Sequence, residues 1–200
     1  MTTIERPVPV PLLPVAAPAP VRLALPGRTL LVVAGMPGAG KSTLLAGLPR
    51  VSEVAVLDSE QQRTTLARRW PGVPYRRYRP LVHLRHRLAL VRAARSRTRT
   101  VVVHLPATAA ATRAALALLA ALTGRTAHLL WLDVEPVDAL RGQRDRGRMV
   151  PSRSFAGHAR RGEATRTRLR VRAPRGFAHA TVLDRAEARA GLVLDTGPAQ

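Results

Sequence analysis

Gly35-Met36-Pro37-Gly38-Ala39-Gly40-Lys41-Ser42 decides the reading of this chain, because it fits the pattern G-x-x-x-x-G-K-[ST] in the context that pattern requires. Thr29 to Ala34 (TLLVVA) precedes it, an apolar run of the kind that makes a buried parallel strand. Gly40 to Leu48 carries helix-forming residues, and Pro49 ends them. A glycine-rich turn between strand and helix lets successive backbone N–H groups point at phosphate oxygens, and the helix start adds partial positive charge. Gly35, Met36, Pro37, Gly38, Ala39, Gly40, Lys41, Ser42 and Thr43 are therefore the expected nucleotide-binding residues. Lys41, the sole lysine of the chain, is expected on the β- and γ-phosphates, and the Ser42 hydroxyl on Mg²⁺.

Outward from this loop, strands and helices alternate. Glu53 to Leu57, Thr100 to Val103, His128 to Leu132 and Thr181 to Leu183 read as further short strands. Leu81 to Ala94 and an alanine-rich stretch near Ala109 to Leu122 read as helices, and Pro136 is preset to open another. This alternation predicts an α/β fold, a three-layer α/β/α sandwich on a parallel sheet of about five strands. Residues 1–27 hold seven prolines and are expected to form an extended or disordered arm, leaving 28–200 as the nucleotide-binding domain.

The rest of the site depends on acids, and there are few. Between the end of the second strand and Asp133 only Asp58 and Glu60 occur. Asp58 closes that strand, so it belongs at the carboxyl edge of the sheet, where ligands bind in such folds. There it can serve as base for an attacking hydroxyl and as a Mg²⁺-linked carboxylate, or it can cap the following helix. Glu60 is the alternative. The third strand ends in His104-Leu105, where an acid is expected, and His104 there can hydrogen-bond a phosphate or the attacking group; the fourth ends in Asp133, with Glu135 beyond it, and Asp133 reads either as metal-linked or as a strand-end or helix-start residue. From Arg141 to Arg175 there are twelve arginines and two acids. This stretch reads as an arginine-rich helical lid, with Arg144 and Arg148 expected near phosphate as catalytic charge stabilisers. Tyr75-Arg76-Arg77-Tyr78-Arg79 mixes aromatic and basic residues, a pattern suited to stacking plus phosphate contact, and two tyrosines do not separate an acceptor site from an ordinary loop. His83 and His86 read as surface or core histidines and not as metal ligands.

Composition narrows the classes. There is no cysteine, so thiol catalysis and metal–thiolate sites are excluded, and a reducing cytoplasm suits the chain. No apolar stretch approaches the roughly 20 residues that span a bilayer, so no membrane partner is expected. A net charge of +21 attracts phosphates in general, which leaves nucleic acid open as a partner beside ATP. There is no asparagine, hence no Asn-Lys-x-Asp guanine signature, and ATP is the expected nucleotide.

GMPGAGKST, with VLDSEQQR after the second strand, the arginines of 141–148 and TVLDR near the end, resembles the small P-loop kinases of the polynucleotide-kinase and zeta-toxin type, often catalogued as AAA-family ATPases. The resemblance runs from about residue 29 to about 185. It implies an ATP-dependent phosphotransferase in which Asp58 is base for an acceptor hydroxyl, Arg63 orients that acceptor, and Arg144, Arg146 and Arg148 are lid arginines. The acceptor would be a small molecule or a nucleic-acid end. His104-Leu105 departs from the family pattern, which motivates the alternative of a weakly hydrolytic, ATP-dependent switch.

Overall fold

The computed structural model describes residues 19–49, 51–145, 147 and 149–197. In chain order the elements are β1 (Val21–Ala24), β2 (Thr29–Gly35), α1 (Lys41–Ala46), β3 (Val54–Asp58), α2 (Ser59–Arg69), α3 (Tyr75–Arg95) and β4 (Thr100–His104). They continue with α4 (Ala110–Leu122), β5 (Thr126–Leu132), α5 (Pro136–Arg144), α6 (Ser152–Leu169), β6 (His179–Leu183), α7 (Arg185–Ala190) and β7 (Leu192–Asp195).

Five strands form one parallel sheet in the order β3-β4-β2-β5-β6. The strand that leads into the glycine loop is central and buried along its whole length. Its side chains alternate between two cores. Leu31 and Val33 pack with Leu44, Leu45, Ala139 and Phe155, while Leu30, Val32 and Ala34 pack with Leu90, Leu116, Ala120 and Trp131. Apolar side chains on both faces of β2 are what a sheet covered by helices on both sides requires. The three-layer sandwich and its five strands stand as the apolar runs predict.

The expected boundary at residue 27 does not hold. Val21–Ala24 is a strand, paired in parallel with Leu192–Asp195 in a separate two-stranded sheet. Leu23 and Leu192 carry this ribbon into the core that also holds Leu31 and Val33, so burial, not propensity, orders it. Residues 1–18 of the expected arm lie outside the described residues.

The Tyr75–Arg79 segment is likewise not a loop but the first turns of α3. The buried residues of that helix are Tyr78, Val82, His86, Leu90 and Ala94, one every four positions. Tyr78 and Val82 close a small core with Leu66 of α2, and Trp70 and Tyr75 pack their rings against Tyr78. The α2–α3 pair is thereby held above the β3 edge of the sheet. Among the described residues no helix is long and apolar enough to cross a membrane.

Candidate active site

The glycine loop begins where β2 ends. Gly35, Gly38 and Gly40 all have positive φ, at 141°, 95° and 95°. Gly38 is the tightest position: a Cβ there would lie 1.9 Å from the carbonyl oxygen of Ala139, in α5. The loop is thus seated directly on α5. Gln143, buried on the same helix, donates from Nε2 to Pro37 O at 3.1 Å and accepts from Val150 N–H at 2.8 Å. One side chain therefore ties the loop to the segment that joins α5 and α6. Nothing in the sequence singles out Gln143, because its role comes from a contact with a residue 106 positions away.

Lys41 opens α1 and points back into the loop, where its ammonium donates to Gly35 O at 2.9 Å and Met36 O at 2.8 Å. Pro37, Gly38, Gly40, Lys41 and Ser42 line a cleft of about 620 Å³. Gly35, Met36 and Ala39 are buried beneath the loop, Met36 packing against Gly162 of α6. Thr43 is exposed and lies outside the cleft lining.

Asp58 lines the same cleft from the end of β3, and so do Ser59, Glu60 and Arg63 of α2. Its register partner on β4 is His104, and the two side chains meet at 2.9 Å between His104 Nδ1 and Asp58 Oδ1. The residue that breaks the expected acidic pattern is thus the partner of the acid that remains. Asp58 also caps α2, its Oδ1 accepting the Glu60 N–H at 3.0 Å. Capping and site-facing roles coexist because both bonds fall on Oδ1, and Oδ2 has no hydrogen bond among the described residues. Burial raises the carboxyl's pKa, but the His104 hydrogen bond and charge, the Glu60 N–H and the charge of His86 outweigh it, so Asp58 stays below its ordinary range.

Behind this pair stands His86, buried on α3, with a hydrogen bond to the His104 backbone and Nε2 left without a partner. Burial lowers its pKa further than Asp58 raises it. His158, on α6, faces the cleft from the opposite side with Nδ1 at 2.9 Å from Thr108 Oγ1. Burial, Arg161 and Lys41 keep its pKa low. His158 sits in a stretch that reads in sequence only as arginine-rich, and it carries no motif by which to find it.

The fourth-strand acid goes elsewhere. β5 lies on the far side of β2 from β4, and Asp133 accepts from Arg166 Nε at 2.7 Å, with Glu135 on the same guanidinium at 2.8 Å. These acids hold α6 to the sheet and do not line the cleft. Gly147, Met149, Val150 and Pro151, from the α5–α6 connection, do line it. Arg144 is exposed on the last turn of α5 and does not, while Arg146 and Arg148 lie outside the described residues.

Ser42 and Asp58 are hard oxygen donors on one cleft, and among the described residues no group of three or more His, Asp or Glu side chains is arranged to hold a metal ion by itself. That donor set fits Mg²⁺, which keeps several waters and is held largely by phosphates.

Residues 30–174 match the family described as an AAA domain. Among solved structures, a chain of the PezAT chromosomal toxin–antitoxin system of Streptococcus pneumoniae superposes with a TM-score of 0.56 at 14% identity, over 80% of this chain and 68% of that one. A gluconokinase from Sinorhizobium meliloti superposes with a TM-score of 0.50 at 18% identity, over 81% of this chain and 88% of its own. No curated protein matches the chain in sequence. At these identities the likeness is one of fold, that of P-loop kinases.

Proposed function

The chain belongs to the AAA domain family, and from the cleft shared by its glycine loop and Asp58 we propose that it is an ATP-dependent phosphotransferase acting on a hydroxyl. One observation carries the reading: a carboxylate kept anionic, with Oδ2 unbonded, lines the same cleft as Lys41 and Ser42. A switch needs the loop; it has no need of a positioned base beside it.

In this reading the loop's N–H groups and the Lys41 ammonium bind the triphosphate and neutralise charge as it shifts toward the leaving oxygen. Ser42 would hold Mg²⁺, with Asp58, on the same cleft, as the carboxylate that would bond its waters; the cation would supply charge neutralisation on the phosphates. Asp58 Oδ2 takes the acceptor's proton as the acceptor oxygen bonds to the γ-phosphorus. The bond from that phosphorus to the bridging oxygen breaks, and ADP leaves. His104 holds the carboxylate in place through Oδ1. Arg144, on the last turn of α5, and Arg148, which lies outside the described residues, are the proposed lid arginines.

The test is transfer of label from γ-labelled ATP, with Mg²⁺, to acceptors. Transfer should vanish in Lys41→Ala and fall by about 10²–10³ in Asp58→Asn, with nucleotide binding kept in the latter. Full transfer by Asp58→Asn would refute the assignment of the base. Nucleotide binding with slow phosphate release and no labelled acceptor would favour the switch.

A further inference from the structure

The half of the cleft beyond Asp58 is built from cations. β3 is the edge strand, two strands and therefore about 10 Å from the strand that carries the glycine loop. The helices that follow it present Arg63, Tyr75, Arg76, Arg79 and His83 to the cleft. This wall faces Asp58, and its only other acid is Glu60, which stands 3.6 Å from Arg63. Arg63 also lies over the Tyr75 ring, 4.8 Å from its centroid, which fixes the guanidinium at the cleft wall. Among the described residues, Arg76 and Arg79 pair with no carboxylate, and Arg79 spends only its Nε, on His83 Nε2 at 3.3 Å.

Resting on the phosphotransferase reading, we propose that the acceptor is itself an anion: a small hydroxyl compound bearing a phosphate or carboxylate group, held by Arg63, Arg76 and Arg79 while its hydroxyl meets Asp58. Two arguments carry this. The triphosphate is provided for by loop N–H groups and Lys41, so three further guanidiniums on the opposite wall are in excess of what it needs. Arg76 and Arg79, which pair with no carboxylate among the described residues, are guanidiniums of the kind that select for anions accepting paired hydrogen bonds. The volume sets the scale of the acceptor. A cleft of about 620 Å³ that must also take phosphates suits a metabolite-sized acceptor.

The test uses the full chain and two readouts. The first is label transfer from ATP with four acceptor sets: sugar phosphates with nucleoside monophosphates, hydroxycarboxylates, neutral polyols with nucleosides, and 5′-hydroxyl oligonucleotides. Transfer should be confined to the first two sets, and which of the two is labelled identifies the anionic group. In Arg76→Ala/Arg79→Ala the acceptor KM should rise roughly tenfold or more, with the KM for ATP unchanged. Both arginines are exposed, so the variant should fold. The second readout needs no chemistry. With the β,γ-methylene analogue of ATP and Mg²⁺ saturating the loop, calorimetric titration of inorganic phosphate should show binding in the wild type that the double variant loses. Label on neutral acceptors or oligonucleotides, an unchanged acceptor KM, or no phosphate binding to the analogue-loaded wild type would each overturn the proposal. Absence of transfer to all four sets, with phosphate still bound, would instead sink the phosphotransferase reading and leave the anion site standing.

Discussion

Replacing His104 by alanine tests the site at its least expected residue. In the wild type, burial raises the Asp58 carboxyl, and the His104 bond at 2.9 Å is the foremost influence that brings it back below the usual range. A hydrogen bond to a charged group is worth about 1.5–3 kcal/mol, and losing it favours the protonated carboxyl. Both side chains are 15% exposed, so water will replace part of the lost bond. We expect the Asp58 carboxyl to rise in His104→Ala, with the Glu60 N–H and His86 still opposing burial.

A base works deprotonated, so the acid limb of the kcat/KM profile should move toward higher pH with the carboxyl, while the plateau falls by a smaller factor. Stability should follow the same carboxyl. A depressed folded pKa contributes stability that is present above the unfolded value, 3.8 for this group, and is lost as pH falls through the folded pKa. The wild type's advantage over His104→Ala should therefore shrink in acid. Label transfer from about pH 4 to about pH 8 gives the limb, and carbon-detected NMR of the Asp58 carboxyl gives the pKa without relying on turnover. His104→Gln, which keeps an N–H donor, should restore part of the shift. A limb and a carboxyl pKa that stay in place in His104→Ala would refute the reasoning.

Three further outcomes are expected. Gly38→Ala and Gly40→Ala share φ of 95°, yet only the former drives a Cβ onto a backbone oxygen; Gly40→Ala should cost the ~1–2 kcal/mol of left-handed strain, and Gly38→Ala clearly more, with nucleotide affinity lost tenfold or worse. Equal losses in the two by denaturation and nucleotide titration would contradict the seating of the loop on α5. Arg166→Ala leaves Asp133 unpaired at 24% exposure and should destabilise by about 1–3 kcal/mol in urea, with nucleotide affinity unchanged. A drop in affinity at unchanged stability would return Asp133 to the active site. His128 is buried and bonded to Thr181 Oγ1, and burial with the charge of His179 lowers its pKa to about 4. The unfolded chain takes up this proton first, so stability should be lost as pH falls from 6.5 toward 4, by up to about 3 kcal/mol, and less so in His128→Gln; parallel pH profiles of the two proteins would contradict this.

What could be read in advance follows from how local each signal is. The strands of the main sheet are apolar runs closed by turns, and the glycine loop is contiguous, so both are legible. The β1–β7 ribbon is not. Its partners stand 171 positions apart in register, and only Leu23 of the first strand is buried. The start of α3 is hidden for a different reason: its buried stripe includes His86, and two arginines flank Tyr78, so the helical period is masked by polar side chains. His104 reads as a missing acid because the strand pairing that sets it beside Asp58 is absent from any local pattern.

The arginines show the same limit more sharply, because one residue type serves four purposes in this chain. Arg125 is buried and donates to the carbonyls of Thr29, Ala93, Ala94, Ser96, Thr98 and Arg99, gathering the end of α3 against two strands. Arg113 donates to Ala107 O and Thr108 O, holding the turn after β4 at its one positive-φ alanine. Arg166 binds two carboxylates across α6 and the sheet. In each of these the guanidinium is consumed by the fold, and its charge is unavailable to a ligand. Counting 33 basic residues against 12 acidic ones therefore overstates the attraction for phosphate. The cations that matter for binding are those on a cleft wall whose donors the protein has not already used. By that criterion Arg76 and Arg79 rank above Arg144, which the sequence suggests as a lid residue but which does not line the cleft, and the charge of the chain acquires a place to act.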